Sequence, residues 1–231
     1  MTKASYHVPY LSRCLMVLAG IIALLVVTSS VTFAKPMANA TVRLVHAAAG
    51  AGNVDIFIDN TKAISDFSYG SVTKYVSVPA GTHTVKIAPA GKGIGAAIIT
   101  QTASVAANTI YTAAAVGSQA TGFGMQTFID NNSLNGAAAR IRVYHLSPNV
   151  GPVSVATGGK TVIPSLSYKS ASSYLSLTAN SYTFNVTALQ TKTTVPVTAT
   201  LASGMVYSVF AIGLYKGTPA LQFVTTAVKG S

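Results

Sequence analysis

The sequence predicts an all-β protein: two tandem antiparallel β-sandwich units behind an N-terminal signal peptide. Three observations carry this. A block of sequence returns once at a near-constant spacing. Its apolar residues alternate with period two, as half-buried strands require. Beyond the N-terminal segment, no stretch sustains a 3.6-residue period with helix caps.

The N-terminal segment comes first in the chain. Lys3 and Arg13 precede an unbroken apolar run, CLMVLAGIIALLVV at 14–27, and the more polar TSSVTFA follows. A positive start, an apolar middle and a small-residue exit describe a secretory signal peptide, 1–34, cleaved after Ala34. Cleavage after Ala40 would leave Thr41 starting abruptly at a strand. The competing reading is an uncleaved membrane anchor, because Cys14 to Ala34 is just long enough to span a bilayer. Thr28, Ser29, Ser30 and Thr32 weaken that helix. Cys14 is the single cysteine. The mature chain therefore has no disulfide, no disulfide-linked partner and no cysteine chemistry. Secreted animal β-domains of this size usually carry disulfides, so the composition points to a bacterial exported protein.

The repeat follows. VRLVH at 42–46 pairs with IRVYH at 141–145, a shift of 99, and YVSVPAGTHTVKI at 75–87 pairs with YLSLTANSYTFNV at 174–186. After a three-residue deletion the shift becomes 96. Tyr111 then pairs with Tyr207, Gly117 with Gly213 and Gln126 with Gln222. The units are 41–130 and 139–228, joined by the turn-rich linker NNSLNGAA at 131–138. About seven strands are expected per unit, near 41–46, 53–58, 73–78, 82–88, 97–105, 109–117 and 124–129 in the first. Pro79-Ala80-Gly81 and Ala179-Asn180-Ser181 supply turns. Short strands at this spacing argue for a sandwich.

VRLVHAAAGAGNVDIFIDN and YGSVTKYVSVPAGTHTVKIAPAG resemble the bacterial DUF4397 family, with its R-V-x-H, V-D-x-x-x-D, Y-G and P-A-G elements. The resemblance covers nearly all of 41–228, twice. It implies export and an immunoglobulin-like or transthyretin-like sandwich, and no reaction. The second unit departs from the pattern: Ser154 stands for Asp55, Gly158 for Asp59 and Lys169 for Gly70.

Candidate binding residues are Arg43, His46, Asp55, Arg142 and His145. His46 and His145 hold one position in the two units, with Arg43 and Arg142 three residues earlier. An imidazole there could serve as a metal ligand or hydrogen-bond donor. The structural reading is preferred: His46 shares a strand face with Val42 and Leu44, closes the end of the core and bonds a nearby carbonyl. His83 aligns with Tyr182 and is read as packing. Asp55, Asp59 and Asp66 cluster in sequence and could act as acid and base or help hold calcium. They are read instead as an outward strand acid and a hairpin-turn residue, Asp55 and Asp59 sharing one face. The second unit has no acid, so a calcium site per unit is not expected. Gly91-Lys92-Gly93-Ile94-Gly95 lacks phosphate-loop spacing and reads as a hairpin tip. No nucleophile elbow, zinc spacing or dinucleotide fingerprint is present. No catalytic residue, metal or cofactor is therefore expected.

Charge completes the reading. The chain carries 15 Lys and Arg against 4 Asp and no Glu. Removal of 1–34 takes away Lys3 and Arg13, leaving +9. Such a surface attracts anionic polymers. The basic residues are scattered without interleaved aromatics, which argues against nucleic acid. The expectation is a non-enzymatic protein, secreted or at the cell surface, with a structural, adhesive or ligand-binding role. The alternative is a module for anionic glycan or cell-wall polymer, or for another surface protein. Less favoured is a hydrolase using Asp55 or Asp59 with His46.

Overall fold

A computed structural model describes Met1 and residues 38–231. The expected signal peptide falls almost wholly outside the described residues. Residues Met37–Ser231 form one compact unit containing both repeats.

The first repeat contains β1 (Asn39–His46), β2 (Val54–Ile58), β3 (Thr61–Phe67), β4 (Val76–Pro79), β5 (Gly81–Pro89), β6 (Ile99–Val105), β7 (Ile110–Ser118) and β8 (Gly122–Asp130). One sheet runs β4-β1-β7-β8 and the other β3-β2-β5-β6. The second repeat contains β9 (Ala139–His145), β10 (Val153–Thr157), β11 (Lys160–Leu166), β12 (Ser170–Ala171), β13 (Leu175–Leu177), β14 (Asn180–Ala188), β15 (Thr194–Leu201), β16 (Met205–Ile212) and β17 (Gln222–Lys229). Its sheets run β12-β9-β16-β17 and β11-β10-β14-β15, and β13 also pairs with β9. Pairing is antiparallel except for β1 with β7 and β9 with β16, which are parallel. The fold is all-β and built of sandwich-like units.

Alternation on β1 sorts its residues between two cores. Val42 and Leu44 pack into the first repeat's core with Val54, Ile56, Phe67, Ile87 and Met125. Val45 points the other way, into a separate cluster with Ala114, Val116, Phe128, Tyr144, Phe210 and Ile212. That cluster draws on both repeats. β1, β7, β9 and β16 are thus covered on both faces, which is why β7 and β16 read as near-continuous apolar runs, TAAAV and SVFAI.

Two details correct the sequence reading. β3, an extra strand, lies on a sheet edge and is mostly exposed, so it has no apolar alternation to announce it. A bulge between Val54 and Ile56 also breaks its register with β2. The second correction concerns the last strand. Tyr111 pairs with Ile129 and Tyr207 with Ala227, so β8 and β17 are related by a shift of 98. Gln126 therefore corresponds to Val224 rather than Gln222. The turn between β16 and β17 is two residues longer than its counterpart.

The entry to these turns is sterically fixed. A Cβ on Gly117 (φ 102°) would lie 2.0 Å from the Gly122 carbonyl oxygen, and one on Gly213 (φ 92°) would lie 2.2 Å from that of Ala220. Only glycine fits either position.

Candidate functional site

His46 ends β1 and His145 ends β9, both essentially unexposed. His46 Nε2–H donates to the Gly52 carbonyl at 2.8 Å, and His145 Nε2–H donates to that of Gly151 at 2.7 Å. A carbonyl only accepts, so Nε2 carries the proton and Nδ1 presents a lone pair. Neither Nδ1 has a partner among the described residues. Burial lowers both imidazole pKa values, holding the rings neutral. The surroundings differ: His46 is stacked on Phe67 with ring centres 6.0 Å apart, whereas the position equivalent to Phe67 is Leu166.

Arg43 lies on the opposite face of β1 from His46, so the two do not share a site. Its guanidinium is buried between the repeats. Nε donates to Thr112 Oγ1 at 2.7 Å, Nη1 to Thr226 Oγ1 at 3.1 Å, and Nη2 to Ser208 Oγ at 2.7 Å and Asp130 Oδ2 at 3.4 Å. Arg142 donates from Nη1 to Asp130 Oδ1 at 3.2 Å and to the Ile129 carbonyl at 2.6 Å. Asp130 also accepts from Thr112, from Tyr144, and from Tyr75 at 2.7 Å. One buried carboxylate therefore receives both repeated arginines. Burial, joined by the Asp130 charge, pushes the Tyr75 and Tyr144 hydroxyls upward, so both remain donors. Arg43 is committed to packing, and only Arg142 retains partial exposure.

Asp55 also departs from its expected outward position: only 2% of its surface is exposed. Its Oδ2 accepts from Lys62 Nζ at 2.7 Å and Gly91 N–H at 3.2 Å, and Oδ1 from Asp66 N–H at 3.0 Å. The Lys62 hydrogen bond, then that from Asp66, bring its pKa down to about 2. The carboxylate pins the β3 bulge and the 91–96 loop. Asp59 does not share its face, because it falls beyond β2 in the turn with Asn60, at φ 49° and 67°. Positive φ at both residues is the two-residue hairpin geometry.

Asp59 Oδ2 receives His83 Nδ1–H at 2.7 Å while His83 Nε2–H donates to the Pro79 carbonyl at 2.8 Å. With acceptors at both nitrogens, His83 is suited to the doubly protonated form. The Asp59 hydrogen bond raises its pKa, and His83 lowers that of Asp59. In the second repeat Tyr182 donates instead to the equivalent carbonyl, Thr178, at 3.1 Å. His46, Asp55 and Asp59 thus each face different partners and do not converge. Among the described residues no three His, Cys, Asp or Glu side chains could together hold a metal ion.

The pairing signal missed in sequence is the charged residue alternating opposite His46. In VRLVH, Arg43 sits on the strand face that carries Val45, a position that calls for a buried acceptor.

A family model described as a domain of unknown function (DUF4397) matches residues 40–156 and again 139–230. The chain belongs to the DUF4397 family. The second DUF4397 match covers the second repeat, and the first covers the first repeat and runs on through β9 into β10, so the two overlap. No curated protein matches the chain.

Proposed function

We propose that this DUF4397 protein is an exported, non-enzymatic protein of the cell envelope that binds anionic polymers there, acidic glycan or cell-wall polyanion, through its lysines. One observation carries the reading: among the described residues most lysines are exposed and have no acidic partner, while two of the four acids, Asp55 and Asp130, are buried. Asp130 is held by Arg43 and Arg142, Asp55 by Lys62 and Asp59 by His83. Among the described residues, Lys74, Lys86, Lys92, Lys160, Lys169, Lys192, Lys216 and Lys229 form no salt bridge, and all but Lys86 are exposed. Five of these eight lie in the second repeat, which has no acid to offset them. A field of one sign draws polyanions and repels polycations.

The test is retention of residues 35–231 on an immobilised acidic polysaccharide as salt rises. Binding should weaken steeply, because exposed charges are screened over about 8 Å at physiological ionic strength. Replacing Lys169, Lys192 and Lys216 by Gln should reduce it further. Salt-independent binding, or equal retention of that variant, would reject the proposal.

A further inference from the structure

The two repeats end on equivalent edge strands, β8 and β17, and side chains close only one of these edges. The Leu146 N–H donates to the Ala211 carbonyl, so the odd-numbered residues of β16 turn towards β9. Their neighbours on β17, Phe223, Thr225 and Ala227, therefore turn their N–H and C=O groups outwards. On β8 the same holds for Met125, Thr127 and Ile129, because the Ala47 N–H donates to the Ala115 carbonyl.

Side chains seal β8. Gln101 Oε1 accepts from the Met125 N–H at 3.2 Å, Gln126 Nε2 donates to the Thr127 carbonyl at 3.2 Å, and Arg142 Nη1 donates to the Ile129 carbonyl at 2.6 Å. None of these seals recurs on β17. The register places Val197 where Gln101 stands and Val224 where Gln126 stands. Arg43, the counterpart of Arg142, is turned inwards onto Thr112, Ser208, Asp130 and the Thr226 hydroxyl. Among the described residues no hydrogen bond reaches the outward groups of Phe223, Thr225 or Ala227. β17 contains no proline and no bulge, and its lysine is its last residue. An edge without such devices is a template for another strand.

Charge selects that strand. Lys229 is exposed at one end of β17 and Lys216 in the turn leading into the other, and the second repeat has no acid. Two β17 edges paired antiparallel would set Lys229 of each copy towards Lys216 of the other. Cation against cation disfavours a second copy. We propose that β17 is a docking edge for an extended segment of another protein, a short strand flanked by acidic residues. Main-chain hydrogen bonds hold the guest strand, and the two lysines choose it.

The experiment uses the full chain and a synthetic eight-residue peptide, valine and threonine alternating between aspartates at the two ends. Amide exchange with water, read by NMR, should slow at least about ten-fold at Phe223, Thr225 and Ala227 with millimolar peptide, and stay unchanged at Met125. The same peptide N-methylated throughout its centre keeps its charge but cannot extend a sheet, and should have no effect. A peptide with lysine at both ends should bind at least about ten-fold more weakly. Thr225→Pro gives the edge the residue that β15 carries as Pro196, and should abolish the response. No slowing, equal slowing by the methylated peptide, or equal binding of the lysine peptide would each overturn the proposal. Slowing brought about by raising the protein concentration alone would assign the edge to a second copy and overturn it too. These readings come from the unsubstituted protein, so the result stands even where the variant fails to fold.

Discussion

The first repeat holds all four aspartates and the second holds none, yet their β2–β3 and β10–β11 ribbons pair in the same register. Val54 faces Phe67 and Ile56 faces Ile64; Val153 faces Leu166 and Val155 faces Ile163. Both carry the bulge, although Asp55, which clamps it in the first repeat, is Ser154 in the second. The hairpin turn is likewise kept, by Asp59-Asn60 in one and by Gly158-Gly159, at φ 56° and 75°, in the other. The difference teaches that apolar pattern and turn conformation set the ribbon, while the carboxylates add local ties to a geometry already determined.

Asp130 is the exception, since both repeats depend on it. Asp130→Ala would leave Arg43 and Arg142 without their carboxylate, and breaking a buried pair costs about 3–5 kcal/mol. Chemical denaturation should show both repeats losing stability together, because the arginines come one from each. A second repeat that still unfolds at its original midpoint would show that the carboxylate serves only the first.

Gly117→Ala and Gly213→Ala sharpen the comparison, because they probe one position twice. Each places a methyl against a carbonyl in a backbone region that L residues avoid, and each should cost about 3 kcal/mol. Thermal melts should give similar losses. A loss confined to Gly117→Ala would mean that the longer second turn relaxes around the clash.

His46→Ala and His145→Ala should each cost about 1–3 kcal/mol, the usual loss for a buried hydrogen bond that leaves a carbonyl unpaired. Their pH behaviour has a sign. Both folded pKa values are lowered, so below the ordinary value near 6.5 the unfolded chain binds protons that the folded one refuses. Their contribution to stability therefore falls on acidification through that value. His83, with its pKa raised, works the other way: its contribution is complete below 6.5 and is lost as pH rises through the folded pKa. His83→Tyr, which copies the second repeat, should steepen the loss of melting temperature between pH 7 and 5. An unchanged profile would show that the Asp59 pair is inert.

The smallest effect is expected from Asp55→Ser, which copies Ser154. The ribbon register should survive, as read from amide chemical shifts. The wild type should lose an increment of stability as pH falls from the ordinary 3.8 towards about 2, and the variant should lack that increment. A shifted β3 register would overturn the view that the bulge is set without the carboxylate.

Much of the fold was legible because repetition displayed each strand twice, and because Val42, Leu44 and His46 alternate cleanly. β3 escaped because an edge strand with one buried end carries little apolar pattern. The joint between the repeats escaped for a different reason. Its information lies in pairs far apart in sequence: Arg43 meets Thr112, Asp130, Ser208 and Thr226 across separations of 69, 87, 165 and 183 residues. Asp130 stood alone at the end of a strand, while Asp55, Asp59 and Asp66 drew attention by proximity. A local cue was present in TAAAV and SVFAI, whose unbroken apolarity reports cover on both faces. The two extra residues of the β16–β17 turn escaped too, because Gln126 and Gln222 match in sequence without them.

The Arg43 contacts also impose an order in time. Strand β1 leaves the ribosome first, but its guanidinium finds its full set of partners only after β16 and β17 have been made. Until then a cation stands on a face meant for burial, and water must continue to hydrate it. The N-terminal repeat is therefore synthesised early and completed late. A chain interrupted before Thr226 carries its own mark of incompleteness: a wet, charged patch where the finished molecule has an interior.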